Sequence, residues 1–192
     1  HLVPEELEQL ERLSLTDKHM KLQKSLDAFL FCCYAGMRYS DFTNLSKKNI
    51  VDINQETWLI YKSVKTGTEV RLPLYLLFAG KGIVILNKYR NNLEDFFHLR
   101  DNSNINKDLI IIAKLAGLSK KISFHTARHT NATLLIYNGV NITTVQKLLG
   151  HKSVKTTQVY TNIMDMTIVH DLEKIKQAAL GIKKKTDNSF NK

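Results

Sequence analysis

Two prolines, eight glycines and two cysteines are all that this chain of 192 residues holds of the three types that most constrain a backbone. So few turn formers exclude a collagen-like fibre and argue against an all-β fold with many tight turns. The cysteines, Cys32 and Cys33, are adjacent in an apolar run and lack C-x-x-C spacing. Neighbours do not easily bridge each other, so they read as reduced core thiols of a cytosolic protein. No apolar run approaches the roughly 20 residues that a membrane-spanning helix needs. The best, Ala28 to Gly36, is short and is followed by Arg38. The opening, His1 to Leu13, is acidic and amphipathic, unlike a secretory leader.

What is present is an ordinary globular composition, 43% hydrophobic and 24% charged, which excludes disorder of the whole chain. The length suits one domain that buries its own core without disulfides or a structural metal. Lysine and arginine number 28 against 18 acidic residues, giving a net charge of +10. Such a balance suits a polyanionic partner, although charge alone also fits a merely basic surface.

The spacing of apolar residues predicts helices over Val3–Leu13, from Thr16 or Asp17 to Gly36, and over Ser40–Leu45. Ile50–Leu74 is rich in β-branched and aromatic residues around Thr66-Gly67 and predicts a β-hairpin. Helical patterns resume at Gly80–Asn92 and, after an asparagine-rich connector at Asp101–Asn106, at Ile105–Ala116. They continue at Thr126–Asn138, Thr143–Leu149, Val154–Tyr160 and Met164–Leu180. In the last helix Ile168, Leu172, Ile175 and Ala179 form an apolar stripe, which packs on its own domain or docks in a neighbouring subunit. The fold class is mainly α with a small antiparallel β-sheet. Residues 1–182 form one domain and residues 183–192 a basic, flexible tail.

Polar residues crowd the apolar helical positions of the second half. His125 and His129 are four apart, as in H-E-x-x-H, but Thr126 stands where that motif has its glutamate. No Asp, Glu or Cys nearby in sequence completes a zinc set, so no metal and no cofactor is expected. Phosphate chemistry by organic side chains is the other reading. Two arginines, Arg38 and Arg128, can clamp non-bridging oxygens bidentately. His125, His151 and Lys65 can handle protons, and Tyr160 can serve as nucleophile.

These residues also carry a family resemblance. Gly36-Met37-Arg38-Tyr39-Ser40-Asp41 resembles the first arginine box of the tyrosine recombinases of the phage-integrase type. Lys65-Thr66-Gly67, followed by Val70-Arg71-Leu72-Pro73-Leu74, resembles their hairpin lysine. His125-x-x-Arg128-His-Thr-x-Ala-Thr resembles their second box, and Leu148-Leu149-Gly150-His151 with Tyr160 nine residues later resembles the last. All stand in family order.

The resemblance implies the tyrosine recombinase catalytic-domain fold and a defined chemistry. Tyr160 attacks a DNA phosphate to leave a 3′-phosphotyrosine and a free 5′-hydroxyl, and a second 5′-hydroxyl reseals the strand. The ester keeps the bond energy, so neither ATP nor metal is required. Arg38 and Arg128 stabilise the transition state, Lys65 protonates the leaving oxygen, and His125 is the general base or shares protons with the nucleophile. His151 donates a hydrogen bond to phosphate, and Asp41 buttresses the site. The implied partners are double-stranded DNA at an attachment site and further recombinase subunits in a DNA-bound tetramer, with no membrane. The implied location is the bacterial cytoplasm. The resemblance further implies that an N-terminal core-binding domain, half of the clamp around DNA, precedes a domain of this kind and is absent here.

Plainer readings stand beside these. Arg38 serves as a charge at a helix end, Lys65 as a solvated hairpin residue with Lys62 as its competitor, and His125 and His151 as structural caps. Tyr160 serves as a core aromatic and Asp41 as a helix cap; Tyr137, His129 and Thr130 read as packing residues. Asn131, Thr126 and Ala127 depart from the commonest family pattern in size or polarity. A type IB topoisomerase and a non-catalytic DNA-binding module are the competing functions.

Overall fold

The computed structural model describes residues 1–160 together with Leu172, Ile175 and Lys176. The fold is built around α2 (Gln23–Ala35), in which every residue from Ser25 to Ala35 is buried. A helix covered on all sides needs apolar residues all round, which is why this stretch reads as a run rather than a stripe. Its N-terminal part departs from expectation: Asp17–Leu22 forms a 3₁₀ segment, and α geometry begins only at Gln23. Asp27, 1% exposed, accepts hydrogen bonds from Lys88 Nζ (2.8 Å), the Tyr89 hydroxyl (2.8 Å) and Gln23 Nε2 (3.1 Å). These partners offset the cost of burying its charge.

Around α2 pack α1 (Pro4–Glu11), α4 (Lys81–Lys88), α5 (Leu93–Phe97), α6 (Asn102–Leu115) and α7 (Phe124–Tyr137). The short α3 (Tyr39–Phe42) follows α2 directly. Its Phe42 meets Phe96 of α5 edge-on at 5.3 Å and Phe31 of α2 at 5.9 Å, so one aromatic cluster joins three helices. Apolar spacing announces no helix at α5; Asn92 caps it by accepting from the Asp95 N–H at 3.1 Å. The asparagine-rich connector is the first turn of α6, because Asp101 accepts from the Asn104 N–H at 3.1 Å. Helix α7 starts two residues before the expected Thr126. There the Ser123 N–H donates to Thr126 Oγ1 (3.0 Å), and the Phe124 N–H donates to Asn106 Oδ1 of α6 (2.7 Å).

The sheet is antiparallel and has three strands, β1 (Ile50–Ile53), β2 (Glu56–Lys62) and β3 (Glu69–Pro73), in that order. The expected hairpin is β2–β3. The added strand β1 pairs Ile50 with Leu59 and Ile53 with Glu56 through a two-residue turn, Asn54-Gln55, with φ of 52° and 65°. That turn has the primed geometry of tight hairpins without the glycine that announces it. Leu59, Tyr61, Val70 and Leu72 point inward.

Helices α8 (Ile142–Leu149) and α9 (Val154–Gln158) complete the described chain. The expected helix over 164–180 and the tail over 183–192 lie outside the described residues, apart from Leu172, Ile175 and Lys176, which are helical. No helix among the described residues is long and apolar enough to cross a membrane.

Glycine closes two of the helices that border the polar cluster. Gly36 ends α2 with φ of 67°, and Gly150 ends α8 with φ of 63°. Both sit in the left-handed region that costs other residues about 1–2 kcal/mol. Neither has room for a side chain: a Cβ on Gly36 falls 2.6 Å from Asn131 Oδ1, and one on Gly150 falls 2.6 Å from Val70 Cγ2. Gly150→Ala is therefore expected to lower the unfolding free energy by roughly 2–4 kcal/mol, strain and overpacking together. In urea titrations, adding Val70→Ala should recover only part of that loss. Full recovery would show that the backbone conformation costs nothing.

Candidate active site

The C-terminal ends of α2 and α8 converge on the side chain of Arg128. This residue lies on α7 and is 1% exposed. Its Nη1 donates to the carbonyl of Gly36 and its Nη2 to the carbonyl of Leu149, each at 2.7 Å. Carbonyls at helix C-termini have no partner within the helix, and here one guanidinium serves both. Asn131, one turn further along α7, donates to the Cys33 carbonyl at 3.0 Å. The polar residue in a place where an apolar one is commoner is thus explained: it satisfies a third carbonyl at the same helix end. Cys32 and Cys33 are buried and unbridged beneath it, and burial pushes both thiols up in pKa.

Arg38 follows the Gly36 cap by two residues and opens α3. Its Nη1 lies 3.5 Å from Asp41 Oδ2 and donates to Ser63 Oγ at 3.3 Å. The Asp41 side chain is fully buried and accepts the Val64 N–H at 2.8 Å. Asp41 therefore joins the arginine box to the foot of the loop between β2 and β3 rather than merely capping α3. Lys65 stands exposed on that loop. On the loop's other side, Thr66 Oγ1 donates to the Gly150 carbonyl at 3.1 Å. A cleft of ≈ 320 Å³ is lined by Arg38, Tyr39, Ser40, Lys65, Asn102, Phe124 and His125. Lys65, and not Lys62, is the lysine on this cleft.

His151 follows the Gly150 cap and is 7% exposed. Its Nδ1 lies 2.9 Å from Thr157 Oγ1. Burial first, then the charges of Arg128 and Arg38, push its pKa down to about 4. His125 is lowered by burial and by Arg128, Arg38 and Lys65. Tyr160, 6% exposed, is raised by burial, while Arg128 and Arg38 pull it back. Arg128 itself is lowered to about 10, mainly by burial and then by Arg38, and stays charged at neutral pH.

All seven sequence-derived candidates, Arg38, Asp41, Lys65, His125, Arg128, His151 and Tyr160, thus belong to one region. His129, read from the sequence as a packing residue, does more. Its ring meets His125 edge-on at 4.4 Å and Tyr160 at 5.2 Å, so it bridges the two. Its place four residues after His125 on a helix was the available signal. Tyr137 lines a separate hollow with Glu5, Glu8 and Phe78. Among the described residues, no three His, Cys, Asp or Glu side chains gather as a metal-binding set. The arrangement is suited to an anion with a developing negative charge. It offers two guanidiniums, an exposed ammonium, three imidazoles whose pKa values are lowered, and one phenol.

The sequence matches the phage integrase family over residues 2–166. It is 30% identical over 181 residues to a tyrosine recombinase of Pseudothermotoga lettingae, covering 92% of this chain and 60% of that protein. It is 32% identical over 137 residues to the tyrosine recombinase XerA of Saccharolobus solfataricus, covering 67% of this chain and 42% of that protein. The crystal structure of XerA recombinase superposes with a TM-score of 0.71 at 25% identity, covering 91% of this chain and 64% of the other. A lambda integrase tetramer bound to a Holliday junction superposes with a TM-score of 0.64 at 20% identity, covering 83% and 47%. The chain thus spans only part of the length of these relatives.

A histidine whose folded pKa lies below its unfolded value of about 6.5 takes up its proton more readily when unfolded. Its contribution to stability is unchanged above pH 6.5 or so and turns unfavourable as pH falls towards 4. For His151 the loss is expected to be on the order of 2–3 kcal/mol across that window. The measurement is unfolding free energy against pH for the parent and for His151→Asn. A parent curve no steeper than the variant's between pH 6.5 and 4 would refute the assignment.

Proposed function

Because the chain belongs to the phage integrase family of tyrosine recombinases, we propose that it breaks and rejoins DNA strands through a covalent 3′-phosphotyrosine intermediate. The observation that carries this reading is the convergence of Arg38, Arg128, Lys65, His125 and His151 on the surroundings of Tyr160. The bound phosphodiester lies in the cleft beside Arg38, Lys65 and His125. Tyr160 Oη attacks phosphorus, its proton passes to His125, and the new O–P bond forms as the P–O5′ bond breaks. Lys65 gives a proton to the departing 5′-oxygen. Resealing is the reverse, with a 5′-hydroxyl of another strand as the attacking group.

The electrostatics support each role. A phenol raised in pKa by burial does not ionise unaided at neutral pH, so it needs a base at the moment of attack. His125, held neutral by its burial and by the cations around it, is free to accept that proton. Arg38 and Arg128 face the charge that develops on the non-bridging oxygens, in a partly dry site where such contacts act strongly. His151, neutral as well, contributes a hydrogen bond rather than a charge. Lys65 sits on an exposed loop and can follow the leaving oxygen.

The proposed substrate is double-stranded DNA, with further copies of the recombinase as partners. Support comes from the net charge of +10 and from structural neighbours that include a tetramer on a Holliday junction. Strand exchange between duplexes needs several nucleophiles, which separates this reading from a monomeric topoisomerase.

A pool of nicked duplexes with a randomised core tests the reading directly. Incubated with the protein in EDTA and without ATP, it should give a DNA-linked species on a denaturing gel. Tyr160→Phe should abolish that species. Arg38→Ala or Arg128→Lys should lower its rate of formation by about 10²-fold or more. An adduct that persists in Tyr160→Phe would overturn the assignment of the nucleophile. Absence of any adduct while DNA is still bound would favour a binding module.

A further inference from the structure

Thr157 is the one residue of α9 that is wholly buried, at 0% exposed. Its hydroxyl meets Nδ1 of His151 at 2.9 Å. The histidine's backbone is fixed independently of this contact. Its N–H donates to the Gln146 carbonyl at 3.0 Å, and Gln146 Nε2 donates to the His151 carbonyl at 3.1 Å. Thr157 also accepts the Tyr160 N–H on its own carbonyl at 3.1 Å. One buried residue therefore touches the histidine with its side chain and the tyrosine with its backbone.

A neutral imidazole has a single N–H, on one nitrogen or the other. If the threonine hydroxyl accepts, the proton sits on Nδ1 and Nε2 presents a lone pair, which repels a phosphate oxygen. If the hydroxyl donates, Nδ1 is the acceptor and Nε2 carries the N–H. The tautomer thus decides whether His151 attracts or repels an anion, and the partner of Nδ1 sets the tautomer.

We propose that Thr157 is a positioning residue: its hydroxyl donates to Nδ1 of His151 and holds the ring in the Nε2–H form, ready to donate to an anionic oxygen. This deepens the strand-cleavage reading and rests on it for the identity of that anion as a DNA phosphate. Because Tyr160 hangs from the carbonyl of the same residue, α9 carries the nucleophile and the histidine's tautomer as one unit.

Two variants separate the hydroxyl from the packing. Thr157→Val keeps the shape and removes the O–H; Thr157→Ser keeps the O–H. Long-range ¹⁵N spectra of the histidine rings, recorded at neutral pH without DNA, read the tautomer. The parent and Thr157→Ser should show His151 protonated on Nε2, and Thr157→Val should shift it wholly or partly to Nδ1. Single-turnover adduct formation on the nicked duplex pool should slow about tenfold or more in Thr157→Val. It should recover to within about threefold in Thr157→Ser.

A parent ring protonated on Nδ1 would overturn the proposal, as would a Thr157→Val ring that keeps Nε2–H. A changed tautomer with an unchanged cleavage rate would remove the positioning role. Should the tautomers behave as stated while the parent forms no adduct, the strand-cleavage reading fails and the Thr157 assignment stands.

Discussion

The guanidinium of Arg128 bonds the Gly36 carbonyl on one side and the Leu149 carbonyl on the other. Both are ends of helices that the helices themselves cannot satisfy. Without a partner, two buried carbonyls would each cost about 1–3 kcal/mol, and the two helix ends would have no reason to meet. Because they meet, the residue two places after one cap, Arg38, and the residue just after the other, His151, fall into the same neighbourhood. A guanidinium has five N–H donors in a rigid fork. Two are engaged by carbonyls, and the fork also reaches the Tyr160 hydroxyl, whose burial-raised pKa it pulls back. A lysine could not span the two carbonyls in this planar geometry, so the structural duty of the residue alone demands arginine.

The cost of this arrangement is electrostatic. Arg38 and Arg128 repel one another, and they add to the effect of burial in lowering His151 and, with Lys65, His125. The buried Asp41 is the carboxylate that answers them, through Arg38. The protein thus holds more positive charge at this point than it neutralises. On the proposed function, a bound phosphodiester would relieve this repulsion, so part of the cost carried by the free protein would turn into affinity and into stabilisation of a charged transition state. Keeping His125 and His151 neutral belongs to the same balance, since two further cations would make the empty site harder to fold.

Much of this grouping was legible in the sequence because rare polar side chains stand among apolar helical positions in an order that resembles the family's boxes. Arg38, Lys65, His125, Arg128, His151 and Tyr160 all declared themselves by type and order, and the mainly helical class followed from apolar periodicity. What escaped was what local signals do not encode. The first hairpin turn, Asn54-Gln55, adopts positive φ without glycine, so β1 went unseen. The asparagine-rich stretch looked like a loop because Asn is a poor helix former, yet Asp101 caps it into the first turn of α6. Asn131 looked like a departure because its partner, the Cys33 carbonyl, is 98 residues away. Contacts of that range are set by the packing of α7 on α2 and leave no periodic trace.

The loop that bears Lys65 shows how the fold reconciles placement with movement. Its leading foot is tied to α3 by the Val64 N–H on Asp41, and its trailing side to the α8 cap by Thr66 on the Gly150 carbonyl. Between two anchors one residue away on either side, the backbone of Lys65 has little freedom, while its side chain lies exposed at the rim of the cleft. Freedom is thereby confined to four methylenes and an ammonium, which suits the proposed role of Lys65 as the proton donor to a leaving oxygen. The anchors are also shared: Asp41 holds Arg38, and the Gly150 peptide precedes His151. A displacement of the loop is therefore felt by an arginine and a histidine at once. Lys65, Arg38 and His151 are in this way kept in register by hydrogen bonds to backbone rather than by contact with one another.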